Sequence, residues 1–340
     1  MKPQQGAGYH IRHLYLPDQM AARQELERIG VDPGGISQML PKLQHHTLLL
    51  TQVRAAAANI IKQEMLSLGG DAAVTRGTVS CAVPHTDLLL MGTRKQLTRL
   101  CKKLIGQPFG LQTLSVQLTD FLQSSATPQQ QWQIKNQTLQ LKRPLIMGIL
   151  NITPDSFSDG GCFATHQQAI ERAYQMESEG ADLIDIGGES NRPGSAAITV
   201  EEELGRVLPV IEALSGKLKI PISIDTWKSQ VAEQCLQAGA EIVNDISGLT
   251  FDPGLAKVAA EHRAGLVLMH TRGTPQNMQQ NTYYRDIVGE VSSSLLSSAN
   301  KAEQAGISRK QIVLDPGIGF AKDLAGNLEL IRRLPELTTL

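Results

Sequence analysis

Residues 181–189 read ADLIDIGGE, an apolar run interrupted by two aspartates and ending on two glycines and a glutamate. The run is too short for a helix and is apolar at successive positions. It therefore fits a strand buried on both sides, as in a parallel sheet covered by helices. The same unit recurs on either side: residues 145–150 end at Asn151, 220–224 at Asp225, 241–243 at Asn244 and Asp245, 265–269 at His270, and 311–314 at Asp315. Helical segments fill the intervals, and the alternation predicts an α/β fold. In parallel sheets the carboxyl ends of the strands form the ligand face, so these polar endings are expected to share one rim. A single Asp after a strand is usually a helix cap or a turn former. Six runs out of six ending in Asn, Asp, Glu or His are hard to explain by capping alone.

With 340 residues, 41% of them hydrophobic, the chain can bury a large core and has room for two domains. The net charge of -1 gives no overall electrostatic footprint for nucleic acid. Cys81, Cys101, Cys162 and Cys235 match neither a Cys-x-x-Cys metal spacing nor a disulfide framework, so a reducing cytoplasm is expected. No apolar run reaches the ~18 residues a membrane span needs. Charge nevertheless divides the chain: residues 1–143 hold 16 Lys/Arg against 8 Asp/Glu, net +8, and residues 144–340 hold 16 against 25, net -9. Between the two lies QSSATPQQQWQIKNQ (123–137), too polar to pack as a core and read as linker and start of a hairpin.

The expected organisation is a small basic α/β domain over 1–122, the linker over 123–137, and the strand-helix repeat over 138–340. In the first domain, strands are predicted at 9–16, 46–53, 72–79 and 86–91, and helices at 18–29, 55–68 and 94–105. Arg94, Lys95, Arg99, Lys102 and Lys103 crowd one short helix, more plausibly as a solvated face than as an anion site. Nothing in this domain's sequence assigns it a role. In the second half, NITPDSFSDGG (151–161) reads as a long loop with two carboxylates, Asp155 and Asp159, beside a glycine hinge, as a closing lid needs. The loop GGESNRPG (187–194) offers one guanidinium, Arg192, among small residues that let an anion approach the backbone; an ordinary surface ion pair is its bland alternative.

Taken in order, NITPDSFSDGG, DIGGESNRPG, SIDT, IVNDISG, VLMH and LDPGIGFAK closely resemble the dihydropteroate synthases of the pterin-binding (β/α)8 family, over about three fifths of the chain (132–340). The resemblance implies a TIM-type barrel in which 6-hydroxymethyl-7,8-dihydropterin pyrophosphate condenses with 4-aminobenzoate to give dihydropteroate and pyrophosphate. It also implies small-molecule partners, no nucleic acid, no membrane, and a homodimer as the usual state. A pterin's amine and ring N–H pair side by side with a carboxylate, and its carbonyl and ring nitrogens suit an amide. Asp225, Asn244 and Asp315 supply that set, with Asp315 the candidate for the bidentate contact and Asp185 matching a further family position. Met269 and Phe320 suit the flat ring, although Met269 could equally be core filler.

Loss of pyrophosphate leaves positive charge on carbon, so negative protein charge belongs there and positive charge at the leaving oxygens. Asp159, with Asp155 beside it, is the candidate for the first, and Arg192 for the second, where it can clamp a phosphate or later the arylamine side. Asn151 would hold Mg²⁺ bound through the diphosphate, and Ser190, Asn191, Arg192 and Pro193 form the second rim loop. Three positions depart from the family: Asn191 where Thr is usual, Trp227 where a small residue is usual, and Ala321 where Gly is usual. The six strands also fall short of the eight a closed barrel has, so the chain is expected to be part of a longer protein. Residues 132–142 are expected to form a hairpin plugging the bottom of the barrel. Two other classes of function compete with the synthase: a pterin-dependent methyltransferase, for which Asn151 and Arg192 should matter little, and a non-catalytic pterin-binding remnant.

Overall fold

A computed structural model describes residues 11–16, 18–124, 129–152, 166–192 and 194–340. They fall into two compact units, Met1–Pro128 and Gln129–Leu340. The first runs α1 (Gln19–Ile29), α2 (Pro33–Leu43), β1 (His45–Arg54), α3 (Ala55–Ser67), β2 (Asp71–Val74), β3 (His85–Thr93), α4 (Arg94–Leu104) and α5 (Leu111–Ser124). Asp18 caps α1 by accepting from Ala21 N at 2.8 Å, and Gly30 closes it at φ 88°. The strands form one antiparallel sheet in the order β1-β3-β2. One face packs Leu88 and Leu90 against Ile61 and Met65 of α3 and Leu97, Leu100 and Leu104 of α4.

Two expectations for this unit need correcting, and two helices are added to them. Residues 11–16 form no strand, and the strand expected over 72–79 stops at Val74, where Thr75, Thr78 and Gly77 turn the chain. Two helices, α2 and α5, went unread: α2 opens on Pro-Gly-Gly, which reads as a turn, and the apolar positions of α5 are diluted by Gln and Thr. Of the five cations on α4, Lys95, Arg99, Lys102 and Lys103 are exposed, as the bland reading expects, and Lys103 pairs with Glu64 at 2.5 Å.

The second unit opens with a hairpin, β4 (Gln131–Gln133) and β5 (Thr138–Gln140). The repeat then runs β6 (Met147–Asn151), α6 (His166–Glu179), β7 (Leu183–Gly187), α7 (Val200–Leu214), β8 (Ile222–Asp225), α8 (Ser229–Ala238), β9 (Ile242–Asp245), α9 (Leu255–Glu261), β10 (Gly265–Met269), α10 (Ile287–Gln304), β11 (Ile312–Asp315), α11 (Leu324–Arg332) and α12 (Leu334–Leu337). Among the described residues, six strands pair in parallel in sequence order, from β6 to β11. This is the winding of a TIM (β/α)8 barrel, open between β6 and β11.

Period-two alternation sorts each strand's side chains between two sides. Leu150, Ile184, Ile186, Ile222, Ile224, Val243, Leu266 and Leu268 face the helices and pack against Val207, Val210 and Ile211 of α7 and Val231 and Leu236 of α8. The inner side has two layers. Its floor is apolar: Met147, Leu183, Ile242, Val267 and Val313 pack on Trp132 and Ile134 of the hairpin. The indole N–H of Trp132 donates to the Gln311 carbonyl at 2.9 Å, and a Cβ on Gly265 would lie 2.6 Å from Ile134, so the hairpin seals the strands' amino ends closely. Toward the open side, a cavity of about 650 Å³ runs from Trp132 and Leu183 past Val267 and Val313 to Asp315. The upper inner layer is polar, and it carries the candidate site.

Candidate active site

Strand register places the polar endings side by side. Asn151 pairs with Gly187, Gly187 with Asp225, Asp225 with Asn244, and Met269 with Asp315. One step lower on the same inner side, Asp185 pairs with Ser223. A Cβ on Gly187 would come within 3.1 Å of the Asn151 amide oxygen and 3.3 Å of Asp225 Oδ2, so a residue without a side chain is needed for these two groups to close over the strand. Asn151, Asp185, Asp225, Asn244 and Asp315 thus lie on five of the six parallel strands, at the one rim that parallel sheets use for ligands.

Two amides tie two of the acids. Asn244 Nδ2 donates to Asp185 Oδ2 at 2.9 Å, and Asn191 Nδ2, from the β7–α7 loop, donates to Asp225 Oδ2 at 2.8 Å. The other oxygen of each acid, Oδ1, is buried and accepts no hydrogen bond among the described residues. Burial raises the Asp185 carboxyl above the ordinary range, and the adjacent Ser223 hydroxyl and Asn244 amide partly ease it back. Asp225 is pushed well above that range, first by burial and then by the negative charges of Asp185, Glu203, Asp245 and Glu189. Two half-satisfied buried carboxyls facing one inner layer are costly for the fold and point to a ligand that donates hydrogen bonds.

Asp315 is also raised by burial, eased by its hydrogen bond from Gly317 N at 2.8 Å and by the charge of Lys322. Lys322 is itself 3% exposed and donates to the carbonyls of Gly317 (3.0 Å) and Phe320 (2.8 Å), with His270 Nδ1 3.0 Å away. Burial, and then the Arg272 charge against the opposing pull of Asp315, brings its ammonium down to about 8. His270 is buried and lowered to about 4, first by desolvation and then by Lys322 and Arg272. Met269 is 5% exposed at the end of β10, and Phe320 is half-buried in the loop after β11. Asp245 serves the turn, accepting from Ser247 N at 2.8 Å and Leu249 N at 2.6 Å, which is the bland use of a strand-end acid.

In the β7–α7 loop, Ser195 Oγ donates to the carbonyls of Ser190 (2.5 Å) and Arg192 (2.8 Å), and Arg206 donates to Gly188 O at 2.7 Å. Arg192 is exposed, and its guanidinium forms no ion pair among the described residues. Asp155, Asp159 and Pro193 lie outside the described residues. Asn191 brings to Asp225 an amide donor, with a reach a Thr hydroxyl does not have. Trp227 packs edge-on against Phe251, ring centroids 5.6 Å apart, and Ala321 sits at φ 52°, a left-handed conformation that Gly adopts without strain. Three contributors went unread: Ser223, Lys228 and the buried ammonium of Lys322. Each had a signal, a polar residue inside the apolar ISID strand or a lysine a few residues past a strand-end Asp.

No group of three or more His, Cys, Asp or Glu among the described residues could hold a metal ion, and no helix there is long and apolar enough to cross a membrane. The rim, the barrel winding and the motif order define a pterin-binding enzyme, and the family model described as "Pterin binding enzyme" matches residues 147–340. The chain belongs to that family. Within it, the chain is similar to dihydropteroate synthases. It is 53% identical to that of Synechocystis over 58% of this chain and 69% of the relative. A "Probable bifunctional folylpolyglutamate synthase/dihydropteroate synthase" of Halobacterium salinarum is 42% identical over 94% of this chain, so that match takes in the basic unit too, but the chain spans only 38% of that relative's length. Among solved structures, the Yersinia pestis dihydropteroate synthase in complex with a sulfonamide drug matches with a TM-score of 0.58 at 45% identity, over 61% of this chain and 75% of that one. A Xanthomonas albilineans dihydropteroate synthase in complex with 7,8-dihydropteroate matches with a TM-score of 0.54 at 41% identity, over 61% and 73%.

Proposed function

We propose that the second unit binds a reduced pterin at the Asp185–Asp225–Asn244–Asp315 rim, and that the protein of which this rim is part condenses the pterin pyrophosphate with 4-aminobenzoate to give dihydropteroate. The observation that carries the reading is the pair of buried carboxyl oxygens, on Asp185 and Asp225, that accept no hydrogen bond among the described residues. A pterin's 2-amino group and ring N–H are the donors such oxygens lack, and the amide of Asn244 suits the ring's acceptors. Similar dihydropteroate synthases of Xanthomonas albilineans, one in complex with 7,8-dihydropteroate and another with 4-aminobenzoic acid, support the same substrate pair.

Asn151 and Arg192 are assigned to the departing diphosphate, with the loop carrying Asp155 and Asp159 set to face the positive carbon it leaves. Asn151 offers one hard oxygen at the mouth, which suits Mg²⁺; with a single protein oxygen there, diphosphate oxygens and water would complete the shell. When bound, the ion would neutralise charge on the leaving diphosphate. Ser190, Asn191 and Pro193 are assigned to holding the loop over the substrate, and Met269 and Phe320 to contacting the ring. Cytoplasmic location belongs to the same reading.

Calorimetry with 6-hydroxymethylpterin and with its pyrophosphate ester, each with and without Mg²⁺, tests the assignment. A synthase binds both, with Mg²⁺ strengthening only the ester. A methyltransferase would be indifferent to the diphosphate and the ion. Absence of binding by either compound would overturn the reading.

A further inference from the structure

Outside the rim, the most heavily charged buried cluster among the described residues belongs to Lys228. Its ammonium is 2.6 Å from Glu189 Oε2 and 2.6 Å from Glu203 Oε2, with the three side chains 7%, 11% and 1% exposed. Burial alone would lower this ammonium, but its hydrogen bonds to Glu189 and Glu203 outweigh that and raise it. The cluster joins three elements. Lys228 follows Asp225 by three residues at the start of α8, Glu203 lies on α7, and Glu189 lies in the rim loop two residues before Asn191.

A closed ring results. From Asp225 the main chain runs to Lys228, whose ammonium grips Glu189; from Glu189 the loop runs to Asn191, whose amide returns to Asp225 at 2.8 Å. Glu203, buried in α7, fixes the ammonium from below. The Asn191 amide hydrogen bond is short and directional, and the loop that bears it has further polar ties at Gly188, Ser190 and Arg192 and, beyond them, from Gly194 N to the Pro275 carbonyl at 3.0 Å. Two carboxylates on one ammonium leave an excess negative charge, which is costly to bury and gains nothing for packing that an apolar trio would not supply.

We propose that Lys228 is a positioning residue of the pterin site: through Glu189 it holds the β7–α7 loop so that Asn191 orients the Asp225 carboxyl toward the ring. The inference rests on the pterin reading for its function, while the loop tie itself is independent of it.

The test uses the full 340-residue chain and three variants. E189Q weakens the grip on the loop and leaves the Lys228–Glu203 pair, and N191A removes the last link. E203Q leaves an amide oxygen for the ammonium, makes no contact with the loop, and removes, as E189Q does, one of the negative charges that raise Asp225, so it controls for that charge. Hydrogen exchange followed by mass spectrometry should show residues 187–192 opening roughly ten-fold faster in E189Q, with E203Q close to the parent. Titration with 6-hydroxymethylpterin should show E189Q and N191A each binding roughly ten-fold more weakly, and the double variant no weaker than either alone, because both cut one ring. Unchanged loop exchange in E189Q overturns the tie. Faster exchange with parent-like binding, or fully additive losses, overturns the positioning role. A parent chain that binds no pterin at all overturns the function proposed above, and the exchange result still decides whether Lys228 holds the loop.

Discussion

Replacing Asp225 by Asn should move stability and binding in opposite directions. Asp225 buries one carboxyl oxygen that accepts no hydrogen bond among the described residues, and it lies in the fields of Asp185, Glu203, Asp245 and Glu189. An unsatisfied buried polar atom costs about 1–3 kcal/mol, and more when charged. The Asn variant keeps an oxygen to accept from Asn191 and removes the charge, so D225N should be more stable at pH 7 by about 1–3 kcal/mol, a melting temperature higher by roughly 2–4 °C for each kcal/mol. The pH dependence has a definite sign. A carboxyl raised in the fold holds its proton more tightly than in the unfolded chain, so its contribution falls as pH rises from the unfolded value through the folded one. The advantage of D225N should therefore vanish at about pH 4 and below, where both states hold the proton, and grow toward neutrality. Binding goes the other way: losing the hydrogen bond that Asp225 Oδ1 would accept, about 1.5 kcal/mol, weakens 6-hydroxymethylpterin roughly ten-fold. Thermal unfolding followed by circular dichroism between pH 4 and 8, with calorimetry at pH 7, reads both. A variant that is less stable than the parent and binds equally well would falsify the assignment of Asp225 to the ligand.

The other predictions concern the frame around the rim. W132A removes a 4%-exposed indole and its bond to Gln311, and should lower stability by about 3–5 kcal/mol in urea unfolding; a loss below 1 kcal/mol would mean the hairpin does not seal the floor. G265A places a methyl against the Cγ2 methyl of Ile134 and should cost about 1–3 kcal/mol by overpacking, relieved when combined with I134L, which lacks that methyl. K322M strips a donor from the Gly317 and Phe320 carbonyls and should destabilise by about 1–3 kcal/mol. The lowered Lys322 ammonium gives a second readout. The folded chain releases that proton at about 8, so the parent should gain stability as pH rises from about 8 toward 10, and K322M should lack that gain.

The parallel sheet was legible because each strand is buried on both sides, which leaves an apolar run that no helical period explains, and all six runs end within two residues of the ends of the strands. The acids and amides of the rim were legible because the ligand side of such a sheet is fixed by strand direction. What stayed hidden depends on partners far apart in the chain. Lys228 reads as a surface lysine until Glu203 and Glu189 meet it, and Ser223 reads as strand filler until it lies beside Asp185. In the basic unit, α2 was missed because Pro33-Gly34-Gly35 is turn chemistry unless Asp32 caps it, which it does through Gly35 N at 2.9 Å. The failed strand over 72–79 came from reading β-prone residues without the pairing that would use them: β3 partners only Asp71 to Val74.

The floor sealed by Trp132 and the acid-lined mouth are built from alternate residues of the same strands, two positions apart: Leu183 and Asp185 on β7, Ile242 and Asn244 on β9, Val313 and Asp315 on β11. That arithmetic separates robustness from chemistry along a single strand. Substitutions that tighten the lower tier can raise heat tolerance without changing the polar groups above, whereas the cost of the half-satisfied acids at the top must be carried by the tier beneath it.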